Sequence, residues 1–459
     1  MYASFLNLPE AGRHSRALHL KLFTVPSVLT TFYEFVTVNY PRFLEVIEMA
    51  KTNEELYQER AKRLVDAIQL RQPDRVPISL NFAYFPAKCT DAIARDAFYD
   101  FPKWREANKK VIQEYEPDMF RHSYNESGAM LEALDYKQMV WPGHGVSPNG
   151  SHQYIEGEYM LENEYDDILE DHSDYLIRTY LPRIYGALSP LKTLPPLWSA
   201  LLGGVPPNAV AAPEFTSLFE MLVKASHEAQ QWRAAVSAFL AEMRQLGFPS
   251  RGELRAVTPF DIVSGSLRGM KGSMLDMYRQ PQKLLQLCDK LMVLQTKRLI
   301  KAPRSKDFSL VYIPLHRGSD TFMSPKAFET FYWPYVLKLT TDLVQAGLTP
   351  YLFFEGDYTS RLKHLLDLPK GKVLAHFDSS DIVKVKNTLR GHTCIMGNVP
   401  SSKLQVGSPE EVKDYCRKLI DIAAQDGGFI LSPRGSIDEA KPENLRAMVD
   451  FTREYGKYS

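Results

Sequence analysis

Cysteine is scarce: Cys89, Cys288, Cys394 and Cys416 are the only four in 459 residues. None forms a Cys-x-x-Cys pair or a zinc-finger spacing, which argues against a finger-type metal module. Thiols so dispersed suit a reducing cytoplasm, the expected location. Net charge is missing too. Lys+Arg and Asp+Glu both number 55, so bulk charge selects neither nucleic acid nor an anionic membrane. No apolar run approaches the roughly 20 residues that span a bilayer. The first residues show no charged, then apolar, then small-residue cleavage pattern, so no secretory signal is expected. Neither GxGxxG nor the P-loop pattern occurs, and the Gly-rich SGSLRGMKGSM from Ser264 is only a weak ligand signal. No short internal repeat is visible.

The most informative stretch runs from Phe308 to Gly456. It holds the apolar segments SLVYIPLH, TPYLFFEGD, KVLAHFD, TCIMGNVP and GGFILSPRG. Each is rich in β-branched and aromatic residues and flanked by turn formers, as buried strands are. Helical patterns such as PEEVKDYCRKLIDIAAQ, opened by Pro409, lie between them. That rhythm implies parallel strands with crossover helices. Together with the order of the motifs along the chain, it predicts an α/β fold, a (β/α)8 TIM barrel over residues 58–456. Residues 1–57 are expected to be a mainly helical extension, packed on the barrel or on a partner subunit in a homo-oligomer.

The N-terminal part is less regular. Glu54 to Gln72 has helical periodicity, DRVPISLNFAYF follows as a strand, and PDMF predicts another centred on Met119. Arg121, His122, Glu126 and Glu132 stand just beyond it, lining a pocket or a solvated loop. Residues 143–175 are acidic and aromatic and predict an excursion over the barrel mouth. The prolines between 186 and 215 forbid a long helix or a central strand there. A long helix is expected after them, and AVTPFDIVSGSL is expected as a strand.

Polar residues gather where the strands stop, which in a (β/α) barrel is the catalytic edge. Glu355 and Asp357 follow one strand; His376 and Asp378 follow the next. Such a group can bind a divalent metal, run acid–base chemistry, hold a cationic substrate group, or simply tie strand ends together. His316, Arg317 and Asp320 form a second knot. Arg317 there is either an anion clamp or the ion-pair partner of Asp320. Asn398 ends a further strand. Arg434, past the last one, is an anion anchor or a partner for the carboxylates.

Several stretches, in order, resemble the uroporphyrinogen decarboxylase superfamily. DRVPISL is similar to its first strand, SPKAFETFYWPYVLKL to a helix with a proline in its middle, CIMGNVPSSKL to a strand ending in Gly-Asn. GGFILSPRGSIDEAKPENLRAMVDFTREYG is similar to its closing strand and helix. The resemblance implies a TIM barrel with its pocket at the C-terminal strand ends, and either porphyrinogen decarboxylation or corrinoid-linked methyl transfer. SLNFAYFPAKC lacks the arginines of the decarboxylase signature RQAGR. Where the methyltransferases hold zinc through His-x-Cys and a later Cys, this chain has His376, Asp378 and, near the last position, Arg434. The resemblance thus implies a methyltransferase subunit acting on a small methylated compound, with a corrinoid carried by a partner protein. The alternatives are a cofactor-free decarboxylase of a porphyrinogen-like or smaller carboxylic acid, and a non-enzymatic binding protein that kept the barrel and lost the chemistry. The implied site comprises His376, Asp378, Glu355 and Asp357 as catalytic groups, and His316, Arg317, Asp320, Asn398, Arg434 and Glu126 as substrate ligands. Any zinc would rest on His376, Asp378 and Glu355.

Overall fold

The computed structural model describes residues 51–458 apart from 123–125, 203–209, 253 and 303–308. The expected extension over residues 1–57 lies outside the described residues up to residue 50. The chain divides into units Met1–Thr52 and Asn53–Ser459. The second unit begins with helix α1 (Asn53–Ile68). Strand β1 (Ser79–Asn81) pairs in parallel with β2 (Met119–Arg121), and helix α2 (Phe101–Tyr115) connects them.

The C-terminal half holds one parallel sheet: β3 (Leu310–Leu315), β4 (Thr349–Phe354), β5 (Leu374–Phe377), β6 (Cys394–Val399) and β7 (Phe429–Pro433), hydrogen-bonded in chain order. These are the five apolar segments read from the sequence. Helices fall between them as the periodicity predicts, among them Trp333–Gln345, Ile382–Leu389 and Pro409–Ala423, and Pro442–Tyr455 closes the chain. Parallel bridges continue the pairing at both edges. Ile78 meets Leu431 on β7, Phe120 on β2 meets Ser250, and Arg255 meets Tyr312 on β3.

Both faces of this layer are buried, and period-2 alternation sorts its side chains. Val311, Ile313, Leu352, Phe354, Ala375, Phe377 and Leu431 pack on the helix side. Leu310, Tyr351, Leu374, Cys394, Met396 and Ile430 face the other way and form a second cluster with Met119 and with Leu64, Ala67 and Ile68 of α1. Helix α1 therefore covers that second face near the strands' N-terminal ends. The inward residues farther along, Tyr312, Phe353 and His376, line a cavity instead.

Two expectations need adjusting. AVTPFDIV is not a strand: Thr258 caps a short helix, Pro259–Ile262, by accepting from Asp261 N at 3.3 Å. A capping side chain followed by proline at the first helical position starts a helix whatever the β-propensity downstream. Around Pro334 the helix is not regular. Phe328–Tyr332 forms a wide π-type turn and Trp333–Gln345 restarts beyond it, which accommodates a residue with no N–H to donate. The 143–175 stretch supplies short strands, Gly145–Val146 and Gln153–Tyr154, paired to Met139–Pro142, and the helices Tyr165–Glu170 and His172–Tyr175.

Asp118 anchors the start of β2. It is fully buried and accepts from Arg63 Nη1 (2.5 Å), Arg75 Nη1 (2.7 Å), Arg75 Nη2 (2.9 Å) and Ile78 N (2.8 Å). It thus ties α1, β1 and β2 together. Removing one member of a buried ion pair strands the other charge and costs about 3–5 kcal/mol. Asp118→Ala is expected to lose stability on that scale in urea unfolding; a loss under roughly 1 kcal/mol would make the network incidental.

Candidate active site

A cavity of about 470 Å³ opens at the C-terminal ends of the strands. Tyr312, Tyr351 and Phe353 give it an aromatic wall, and Ser79, Asn81 and Ser432 add small polar groups. Three cations reach it: Arg121 at the end of β2, Arg251, and Arg434 just past β7. Arg251 stacks over the Tyr312 ring, 4.0 Å from its centroid. Arg434 makes no ion pair among the described residues, and its buried Nε has no partner there. Glu355, His376, Asp378 and Asp438 bring the remaining ionisable groups.

His376 is the most constrained of them. It sits on β5, 4 % exposed. Nε2 lies 3.0 Å from the carbonyl oxygen of Pro433, and Nδ1 lies 2.9 Å from the hydroxyl of Tyr351. A carbonyl only accepts, so Nε2 carries the proton and Nδ1 accepts from Tyr351. Burial pushes the imidazole pKa down to about 4, and the nearby Arg251 charge adds to this against the Pro433 hydrogen bond. The ring is neutral with both nitrogens engaged.

The carboxylates are placed differently from one another. Glu355 is bound to His316 Nδ1 across the ends of β3 and β4. That contact outweighs burial, which acts the other way, and holds the Glu355 carboxyl below its ordinary range. Burial alone would lower the pKa of His316, but the Glu355 hydrogen bond and the charge of Asp261 raise it. Asp378 accepts from Gly356 N through Oδ2 at 3.0 Å. Asp357 does not reach the cavity. Its Oδ1 accepts from Thr359 N (2.8 Å) and Thr359 Oγ1 (2.5 Å), fixing the turn after β4.

Of the expected substrate ligands, only Arg434 lines the cavity. Asp320 is taken up by Ser360 and by Arg361, whose Nε is 2.9 Å away, so it is not the partner of Arg317. Arg317 turns toward Ser264 Oγ (3.4 Å) and the Phe322 ring. Asn398 is buried and donates to the carbonyls of Asp378 (3.1 Å) and Ser380 (3.2 Å), steadying the end of β5. Glu126 is exposed and outside the lining. Behind His316 lies Asp261, 3 % exposed, which accepts from His316 N, Arg317 N, Thr258 Oγ1 and Tyr332 Oη. It shapes the loop after β3.

The donors expected for zinc do not fit a metal centre. His376 has no free lone pair, Glu355 is paired, and Asp378 has one oxygen on a backbone amide. Among the described residues, no three His, Cys, Asp or Glu side chains group as a metal site requires. What the geometry offers is a half-open polar cavity with guanidinium groups and a neutral histidine, suited to a small anion.

An α/β layer of parallel strands with a cavity at their C-terminal ends is the arrangement of many enzymes. Residues 256–455 match the family model Uroporphyrinogen decarboxylase (URO-D), so the superfamily resemblance read from the sequence holds across β3 to β7 and the last helix. No curated protein matches the chain significantly. Among solved structures, a methyltransferase from Methanosarcina mazei aligns with a TM-score of 0.56 at 14 % identity, covering 86 % of this chain and 98 % of that one. At that identity the likeness speaks for the fold. No helix of the described residues is long and apolar enough to cross a membrane.

The two histidines should titrate in opposite directions. His316, with a raised pKa, contributes stability that is complete below about pH 6.5 and lost as pH rises through its folded value. His376, with a lowered pKa, costs stability as pH falls from about 6.5 toward 4. In an NMR titration His316 is expected above 6.5 and His376 well below it, and Glu355→Gln should move His316 down while leaving His376 alone. A His316 value unmoved by that change would contradict the pairing.

Proposed function

We propose that the chain is an enzyme of the URO-D superfamily whose parallel strands close into an eight-membered (β/α) barrel. Strands β1 to β7 plus the bridged residues Ser250 and Arg255 supply eight places. The bridges Ile78–Leu431, Phe120–Ser250 and Arg255–Tyr312 support closure, because each joins neighbours that such a ring requires.

The substrate in this reading is a small anion, and the convergence of Arg121, Arg251 and Arg434 on one cavity carries it. A space of about 470 Å³ suits a small organic acid better than a porphyrinogen. Methyl transfer from a small methylated acid is the first reading, favoured by the methyltransferase name of the Methanosarcina mazei structure. A corrinoid on a partner protein would supply the cobalt that takes the methyl group, docked over the mouth because the cavity has no room for it. This chain's residues would hold the acid by its charge and leave the methyl end toward the mouth. The heteroatom that loses the methyl group keeps the bonding electron pair and needs a proton, and the Glu355–His316 pair is placed to relay one. Decarboxylation of a small acid is the second reading, favoured by guanidinium groups gathered without a zinc donor set.

Purified protein incubated with reduced cobalamin and methylated acids tests the first reading by the cobalamin spectrum. Carbon dioxide release from the same acids tests the second. Neither signal from any acid would remove both. Arg434→Lys keeps the charge and loses the planar fork, so acid binding is expected to weaken about tenfold. Arg317→Lys, outside the cavity, should leave it unchanged. Equal effects in the two variants would mean that Arg434 does not contact the ligand.

A further inference from the structure

The charges around the cavity are sorted by sign, a pattern whose meaning rests on the barrel and anion reading of the proposed function. Arg434 follows β7 and Arg121 ends β2, with β1 between those strands, and Arg251 is on the neighbouring Ser250–Arg255 segment. These positions form one continuous arc. Glu355 and Asp378 follow β4 and β5, which lie across the ring from β1 and β2. Phe353 supplies an aromatic surface beside them, and the Tyr351 ring next to it is already approached by Arg251, 5.9 Å from its centroid.

Asp438 stands on the cationic arc but does not blur the pattern. Its Oδ1 accepts from Tyr84 N at 3.3 Å and its Oδ2 from Ser436 Oγ at 3.2 Å. On the acidic arc, Asp378 uses Oδ2 on Gly356 N, and its Oδ1 meets no protein donor among the described residues. His376 is neutral and fully hydrogen-bonded, so it offers Asp378 no counter-charge. A ligand with only an anionic group would satisfy the arginines and leave the Asp378 carboxylate facing a site from which water has been displaced, which is costly. A ligand that also carries a cation or strong donor at its far end meets both arcs, and an aromatic surface favours an ammonium group further.

We propose that the cavity takes a small zwitterion, its anionic end held by Arg121, Arg251 and Arg434 and its ammonium end by Asp378, whose neighbour Glu355 is already paired with His316. The two charged ends are separated by a short, flat or apolar spacer lying against Tyr351 and Phe353.

Three probes of one skeleton test this by calorimetric titration of the full chain: 4-(aminomethyl)benzoate, 4-methylbenzoate and 4-methylbenzylamine. The zwitterion is expected to bind about tenfold more tightly than either singly charged probe, the worth of one charge-assisted contact. Asp378→Asn should erase its advantage over 4-methylbenzoate without weakening 4-methylbenzoate itself. If 4-methylbenzoate binds as well as the zwitterion to the unaltered protein, the zwitterion proposal falls while the anion reading stands. If neither acid binds, or the amine binds best, the anion reading falls and takes this proposal with it. The probe series on the unaltered chain decides the matter even if the Asp378 variant does not fold.

Discussion

The imidazole of His376 is clamped between two strands that do not neighbour each other in the chain. Tyr351 on β4 donates to one nitrogen, and the Pro433 carbonyl on β7 accepts from the other. Much of the site depends on this. The ring is locked in one tautomer and one orientation, burial keeps it neutral, and it has no lone pair left for a metal. The position at which the resemblance implies a zinc ligand has become part of the cavity's frame. The groups at the rim are guanidinium groups, carboxylates and the Glu355–His316 pair.

The same inward face explains why a cavity exists at all. At the N-terminal end of the strands, large apolar side chains from the sheet meet Leu64, Ala67 and Ile68 of α1 and fill the space. Toward the C-terminal end the inward positions become Tyr312, His376 and Ser432, whose polar atoms need partners or water. Close packing gives way to a polar hollow within one face of one sheet. Asp118 secures the closed end through Arg63 and Arg75, and Asp261 shapes the loop at the open end.

The strand order was legible because strands β3 to β7 are buried on both sides and therefore read as nearly continuous apolar segments with turn formers between them. Strands β1 and β2 were legible for the same reason, although each is only three residues long. AVTPFDIV misled because its β-branched residues outweighed the Thr-Pro cap that governs it. The site was legible only in part. His376, Asp378, Glu355 and Arg434, singled out because they sit within a few residues of strand ends, line the cavity. Arg251 left no such signal: SRGELR carries no apolar pattern, and its described neighbours Ser250 and Arg255 are joined to strands by isolated bridges. The pairing of Glu355 with His316, and the loss of Asp357 and Asp320 to local turn contacts, depend on side-chain directions that spacing alone does not set. The partners of His376 lie 25 and 57 residues away, beyond any local motif.

The central claim is that this cavity holds an anion by its arginines and that His376 frames it without a metal. A crystal structure of the protein grown with zinc and a small aromatic carboxylate tests both halves at once. The account predicts the carboxylate between Arg121, Arg251 and Arg434, with His376 still bonded to Tyr351 and Pro433. Zinc on a ring nitrogen of His376, or a carboxylate bound away from all three arginines, would contradict it.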